Sequence, residues 1–379
     1  MTLSIRTSPP IVVVGAGIVG AAIAFRLAEK GASVLLLDRN TPGTAATAAA
    51  FAGINAAGAD SPEAVALVQA AIQEHHRLAW KLAPAPWYHS DGALRLSSDP
   101  GQDAEIRARV EQLREWGYAA EFLPARVVRA DLEPELALAD GQSPVAWFPD
   151  EGWVDAPAMT RELVTAVRNA GGRVLTGENR AVVAIGRDGE RVASVTLAGG
   201  QTIAAAAVVN AAGASAGSIA ALVGRDLPMT TPGGIAIRAE TPSGASVLRR
   251  PLLAGRVAMR PDGPGHVWLV PLRDAAMPGL AATPIPLDDP VVTAAIATAA
   301  AAVPSLASAR PVAAVGAAYA VPASGYLSAG PVSGIAGYYE IAAYSDITLA
   351  PLLGRALADD ILGLDPDPLL APFRPEARS

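Results

Sequence analysis

The run Ile11-Val12-Val13-Val14, followed at once by Gly15-x-Gly17-x-x-Gly20, constrains the fold more than any other stretch of the chain. Uninterrupted β-branched residues predict a strand buried on both faces, as in a parallel sheet. A helix through about Lys30, closed by Gly31, is expected next, and Ser33-Val34-Leu35-Leu36-Leu37 reads as a second parallel strand ending at Asp38. In that setting each glycine has its own task. Gly15 permits the tight turn, Gly17 lets the backbone approach a pyrophosphate, and Gly20 lets helix and strand pack closely. Ala16, Ile18 and Val19 share the turn and the helix start, whose unpaired N–H groups and partial positive charge suit phosphate. Asp38 lies 18 residues beyond Gly20, placed to accept hydrogen bonds from a ribose, with Arg39 beside it as a further candidate contact. A glycine-rich turn without ligand is the plain alternative. The motif alone does not separate NAD from FAD.

Helical periodicity continues through Pro62 to Lys81, near Ala104 to Trp116, through Ala158 to Asn169, and in the alanine-rich Val291 to Ala302. Strands are expected at Gly92 to Leu96, Arg173 to Leu175, Ala181 to Ile185, Val192 to Leu197 and Tyr338 to Ala343, with a hairpin at Asp188-Gly189. Ala205 to Val209 reads as another buried strand, Leu227 to Leu272 as antiparallel sheet, and Leu349 to Leu362 as the final helix. The fold class that follows is α/β: a dinucleotide-binding (Rossmann-like) domain with an inserted mixed or antiparallel β-sheet domain. The expected bounds are 1–85, 150–225 and 325–379 for the first, and 86–149 and 226–324 for the second.

Composition removes several functions. The chain has no cysteine, which excludes thiolate metal sites, iron–sulfur clusters, a catalytic thiol and a flavin attached through sulfur. Four histidines without companion spacing make a poor zinc site. A net charge of -7 argues against nucleic acid as partner. Two uncharged stretches, Pro9 to Phe25 and Val192 to Gly224, are broken by glycines and by Asn210, so buried elements are expected there rather than a signal peptide or membrane insertion. The chain reads as cytoplasmic.

Three later stretches bear on the cofactor. Val208-Val209-Asn210-Ala211-Ala212-Gly213 resembles the second cofactor contact of two-dinucleotide-type flavoproteins. Tyr344-Ser345-Asp346-Ile347-Thr348-Leu349-Ala350-Pro351-Leu352-Leu353-Gly354-Arg355 resembles the closing signature of the glycine oxidase and D-amino acid oxidase family, as does the ending Leu369-Leu370-Ala371-Pro372-Phe373-Arg374-Pro375. Thr44-Ala45-Ala46-Thr47-Ala48-Ala49-Ala50-Phe51-Ala52-Gly53-Ile54-Asn55 matches that family's loop past the cofactor, and Asp150 to Asp155 and Arg260 to Gly263 match two further landmarks. The resemblance covers nearly the whole chain.

It implies non-covalent FAD. The first glycine motif, Asp38 and Arg39 would hold it, with Thr44, Ala45, Ala46, Thr47, Gly53, Ile54 and Asn55 from the loop, and Ala211, Ala212 and Gly213. Val182 would lie beside the adenine. Ser345, Asp346, Ile347, Thr348 and Leu349 would set a helix N-terminus against the flavin pyrimidine ring, where reduced flavin carries negative charge. The implied chemistry is hydride transfer from the carbon of a neutral amine to flavin N5, giving an imine that water hydrolyses. The partners are then a small-molecule amine and O2 or another electron acceptor. Positioning carries such a reaction, so no dedicated acid–base residue is required; Tyr344 and Asp346 are the candidates nearest the chemistry.

The substrate side departs from the family. Members acting on α-amino acids place an Arg-Pro pair where this chain has Ala318-Tyr319, and a His-Ser-Gly run where it has Tyr344-Ser345-Asp346. Loss of the arginine removes the usual bidentate partner of a substrate carboxylate. Arg249, Arg250 and Arg256 are candidate replacements. The expectation is an amine or N-substituted amino acid as substrate. A flavin-dependent dehydrogenase of a non-amino-acid substrate, a flavoprotein without turnover and an NAD-dependent dehydrogenase remain as alternatives.

Overall fold

A computed structural model of the chain describes residues 8–138, 144–241, 244, 246–272, 277–278, 283–344 and 346–376. Contacts group them into two compact units: residues 1–48, 156–231 and 319–379, and residues 49–155 and 232–318.

The first unit is built on strand β1 (Ile11–Val14), helix α1 (Ile18–Glu29) and strand β2 (Val34–Asp38). Every residue of β1 is buried, as its β-branched run requires. β1 pairs in parallel with β2 on one side and with Ala207–Asn210 on the other. The six-stranded sheet runs Ser328–Pro331, Tyr338–Ala342, Ala207–Asn210, β1, β2, Arg173–Thr176. Only the first pair is antiparallel. Helices Ala156–Asn169 and Asp346–Ile361 pack against α1. An antiparallel meander of Val182–Asp188, Arg191–Leu197 and Thr202–Ala204 presents Val182, Ile185, Val195 and Leu197 to Val12, Val14, Leu35 and Leu37. Each such buried side chain contributes roughly 1.5–3 kcal/mol.

The second unit centres on a large sheet, mainly antiparallel, in which Leu252–Ala254 and Ala93–Leu96 run parallel. Period two divides its faces. Leu94, Leu96, Ile237, Leu252, Met259 and Leu269 point one way, against Val292, Ala295 and Ala299 of helix Pro290–Ala302. Leu253, Ala258, Val270 and Trp268 point the other way and pack with Phe51. A small sheet joins Gly53–Ile54 and Tyr88–His89 to Gly152–Val154.

The structure differs from expectation at several boundaries. Residues 49–85 group with the second unit, since Gly53–Ile54 pairs with Gly152–Val154 and not with the parallel sheet. Residues 150–155 follow for the same reason, whereas 226–231 and 319–324 group with the first. The helix expected from Ala104 begins at Pro100, where the Asp99 side chain accepts from Gln102 N at 3.0 Å. The final helix begins at Asp346, three residues before Leu349. Among the described residues no helix is long and apolar enough to cross a membrane.

Candidate functional site

The turn after β1 shows which glycines serve the fold and which leaves room for something else. Gly15 has φ +106°, and a Cβ there would overlap the Ala211 carbonyl; a Cβ at Gly20 would overlap the Gly15 carbonyl. Both are required by packing within the chain. At Gly17 the nearest atom a Cβ would meet is Thr47 Oγ1 at 3.4 Å, an ordinary contact. Apart from its chain neighbours, nothing but Thr47 Oγ1 lies within 4 Å of that position. Gly17 also caps α1, whose first turn contains no acidic residue, so its partial positive charge has no anion in the helix itself. Ile18 N donates to Thr47 Oγ1 at 3.3 Å, which draws the 44–47 segment over the helix start. A cradle of this kind fits a pyrophosphate.

Asp38 ends β2 and organises the turn. Its Oδ2 accepts from Ala16 N at 2.6 Å and its Oδ1 from Asn40 N at 2.7 Å. Each oxygen keeps a lone pair for a further donor. Arg39 is exposed and donates to Ser215 Oγ at 3.2 Å. Ser215 belongs to the 3-10 turn Gly213–Ser215, which follows Ala207–Asn210. There Ala211 N donates to Val14 O at 2.9 Å, holding Ala211, Ala212 and Gly213 beside the glycine turn. Buried Asn210, not singled out by sequence as a site residue, fixes this crossing by donating to Ala216 O at 2.8 Å and Tyr338 Oη at 2.9 Å.

The 44–55 loop is held in uncommon backbone. Ala45 (φ +57°) and Ala52 (φ +58°) flank the helical turn Ala46–Ala49 in the left-handed region, at a cost of roughly 1–2 kcal/mol each. Thr44 is exposed and donates to Thr41 O at 2.7 Å, while Thr47 is buried. Val182, expected beside an adenine, opens the meander and is buried in the core under β1 and β2. In the second unit Gly53 and Ile54 lie in the short strand, and Asn55 Oδ1 accepts from Ala57 N at 2.9 Å.

At the other strand-to-helix transition, Tyr344 is 62% exposed and Asp346 opens the final helix half-buried. Burial pushes the Asp346 carboxyl up to about 7, with no charged neighbour contributing. Tyr319 shares this surroundings: burial, then the Tyr344 phenol, raise its ionisation. Ile347 is half-buried, whereas Thr348 and Leu349 are buried. Ser345 lies outside the described residues.

The candidate substrate arginines fare unequally in the second unit. Arg249 is exposed, and its backbone N–H donates to Glu133 Oε1 at 2.8 Å. Arg256 is exposed in the turn after Leu252–Ala254, with Nε 3.5 Å from Leu272 O. Neither lies within a sheet strand as expected. Arg250 is buried and committed to Glu133, Asp91 O and Leu132 O. Ala318 ends the strand Arg310–Ala318, opposite Gly233. Arg260 has a role the sequence did not reveal. It is buried over Trp153 and Trp268, and its Nε donates to Phe51 O at 2.7 Å, pinning the far end of the loop. The sequence marked Arg260 only as the first residue of the Arg260 to Gly263 landmark, whose Asp262 supplies an Oδ1 acceptor for Arg260 Nη1 at 3.1 Å.

A parallel sheet with a glycine turn, an acid ending its second strand and an open helix start define a dinucleotide-binding α/β protein. Residues 10–360 match the family model described as DAO, FAD dependent oxidoreductase, and the chain belongs to that family. Glycine oxidase from Geobacillus kaustophilus is 29% identical over 241 residues, which are 61% of this chain and 62% of that protein's length. The crystal structure of that organism's glycine oxidase superposes with a TM-score of 0.85 at 23% identity, covering 98% of this chain and 99% of the other. L-proline dehydrogenase from P. horikoshii superposes with a TM-score of 0.83 at 19% identity, over 97% and 96% of the two chains. These likenesses carry the fold.

Proposed function

We propose that the protein holds FAD non-covalently and oxidises a carbon–nitrogen bond of an amine or N-substituted amino acid. The family match over residues 10–360 carries the reading, and the uncrowded position at Gly17 supports it, because a pyrophosphate would take the place a Cβ leaves free. The absence of cysteine excludes attachment through sulfur, and non-covalent binding is part of the proposal. The α1 start would bind the phosphates, Asp38 a ribose, and the Asp346–Ile361 helix start the polar edge of the ring system. FAD supplies a two-electron acceptor when bound.

The chain's own residues then position the amine and manage its proton. An ammonium group must lose a proton before its carbon can give up hydride. The Asp346 carboxyl, raised to about 7, can take that proton near neutral pH. Oxidation leaves an imine, which water hydrolyses, and O2 or another acceptor takes the electrons onward. Ala318 and Tyr319 offer no cation to a free α-carboxylate, which buried unpaired would cost several kcal/mol. The substrate in this reading is an amine whose carboxylate is absent, masked or distant. Glycine oxidase, by its name, acts on glycine; this chain is proposed to share the bond and not the carboxylate partner.

The test is an anaerobic screen of the purified protein against amines, N-alkyl glycines and amino acids. Bleaching of the yellow absorbance by a carboxylate-free or N-substituted amine is expected. Bleaching only by free α-amino acids would overturn the substrate reading. A protein that bleaches with no member of the series would be a flavoprotein without this turnover, and one without flavin would overturn the cofactor.

A further inference from the structure

The geometry points to a second ligand site, inside the second unit, that takes a small aliphatic carboxylate between Arg95 and Arg109. The pocket has a volume of about 180 Å³ and is lined by Arg95, Glu105, Ile106, Arg109, Phe148 and Leu253. A cavity of roughly 150 Å³ accommodates a molecule the size of benzene, so a three- or four-carbon acid fits.

Arg95 is an odd residue for its position. Its strand, Ala93–Leu96, sends Leu94 and Leu96 into the helix-covered core, and alternation turns Arg95 to the other face, in register with Leu253. That face otherwise carries Leu253, Ala258 and Val270. The Arg95 guanidinium sits 4.6 Å from the centre of the Phe148 ring, with its side chain only 14% exposed. Its ion-pair partner, Glu151, is 3.9 Å away, beyond hydrogen-bond reach. The same Glu151 oxygen already accepts from Ala56 N at 3.1 Å and Tyr118 Oη at 3.2 Å. Among the described residues no acceptor lies within hydrogen-bond distance of the Arg95 guanidinium. Apart from the longer ion pair with Glu151, the five guanidinium donors have no hydrogen-bond acceptor among the described residues.

Arg109 enters from the helix Pro100–Glu115. It is fastened by Ala56 O at 3.0 Å, by Ala59 O, and by Gln112 Oε1 at 2.7 Å. Burial, and after it the Arg95 charge, pull its ionisation down, so the two cations feel each other. Asp60, Glu151 and Tyr118 act on Arg109 in the opposite sense, and burial pushes Glu151 itself towards its neutral form. Glu105 at the wall is exposed. A planar carboxylate would meet the free fork of Arg95 with two parallel hydrogen bonds and place negative charge between the guanidiniums. Its short tail would lie against Ile106, Phe148 and Leu253. The pocket needs neither bound FAD nor the amine chemistry proposed above.

The experiment is calorimetric titration of the purified full-length protein with isobutyrate and with its neutral analogue isobutyramide. Isobutyrate should bind one to one, with isobutyramide and the Arg95→Gln variant each weakening binding at least about tenfold, which is 1.4 kcal/mol. Ile106→Trp keeps both arginines but fills the pocket, and should also abolish binding; it carries the test if Arg95→Gln does not fold. Asp346→Asn should leave isobutyrate binding unchanged, whether or not that variant oxidises amines. No binding to the wild type, equal binding of the amide, or unchanged affinity in Arg95→Gln or Ile106→Trp would overturn the site. So would loss of binding in Asp346→Asn, which would place the acid at the other site.

Discussion

The first unit contains two strand-to-helix transitions whose chemistry is opposite. After β1 the turn is glycine with no acidic residue in the first turn of α1, and its constraints come from backbone meeting backbone. Before the final helix the turn carries the exposed Tyr344 and opens on an acid, Asp346. The first helix start keeps its positive end for an outside anion, whereas the second supplies its own carboxylate. The contrast teaches why one region follows the family pattern and the other departs from it. Backbone sterics allow almost no substitution, while a side-chain-built pocket can be rewritten without disturbing the sheet.

The largest effect should come from Gly15→Val. It combines a left-handed φ with overlap on the Ala211 carbonyl, so a loss of at least about 4 kcal/mol is expected. A urea midpoint near that of the wild type would break the claim that this turn is fixed by the fold. Gly17→Val sharpens the same contrast, since only Thr47 Oγ1 stands near its Cβ. The urea midpoint should move little while bound FAD per chain drops at least about tenfold. Full retention of FAD would mean the uncrowded position serves no pyrophosphate.

Asp346→Asn tests the other turn. If the carboxyl takes the substrate proton, turnover at pH 7 should fall roughly 100-fold, and the wild-type inflection near neutral pH should vanish. Stability gives an independent reading. An acid whose folded value is raised from 3.8 to about 7 binds more protons folded than unfolded, so it weakens the fold as pH rises through that window. Melting curves of wild type and Asp346→Asn should therefore diverge between those values, the variant losing less. Parallel curves would remove Asp346 from a buried setting. The smallest effect is expected at Thr348, buried just inside that helix. Thr348→Ala should cost about 1 kcal/mol and lower the flavin potential modestly; an unchanged potential would place Thr348 away from the ring edge.

Much of the dinucleotide half was legible because its signals are local. β1, the glycine turn, the following helix and Asp38 form one local strand–helix–strand run, each part set by its own few residues. The substrate half was less legible. Arg249 and Arg256 were named for being cationic in the right stretch of chain, yet both are exposed, and the arginine that pins the loop is Arg260. Nothing in the residues around it tells an arginine that will donate to Phe51 O, 209 positions away, from one that will face solvent.

The sequence by itself determined the parallel strands, the helix starts and the glycine turn, because steric exclusion and capping act over a few residues. Only tertiary structure decided that residues 49–85 join the second unit, through Gly53–Ile54 pairing with Gly152–Val154. It also decided that Arg95 stands beside Leu253 with Glu151 beyond hydrogen-bond distance, and that burial raises the Asp346 carboxyl to about 7. Partner and burial are properties of surroundings assembled from distant segments, and a carboxyl or guanidinium acquires its chemistry from them.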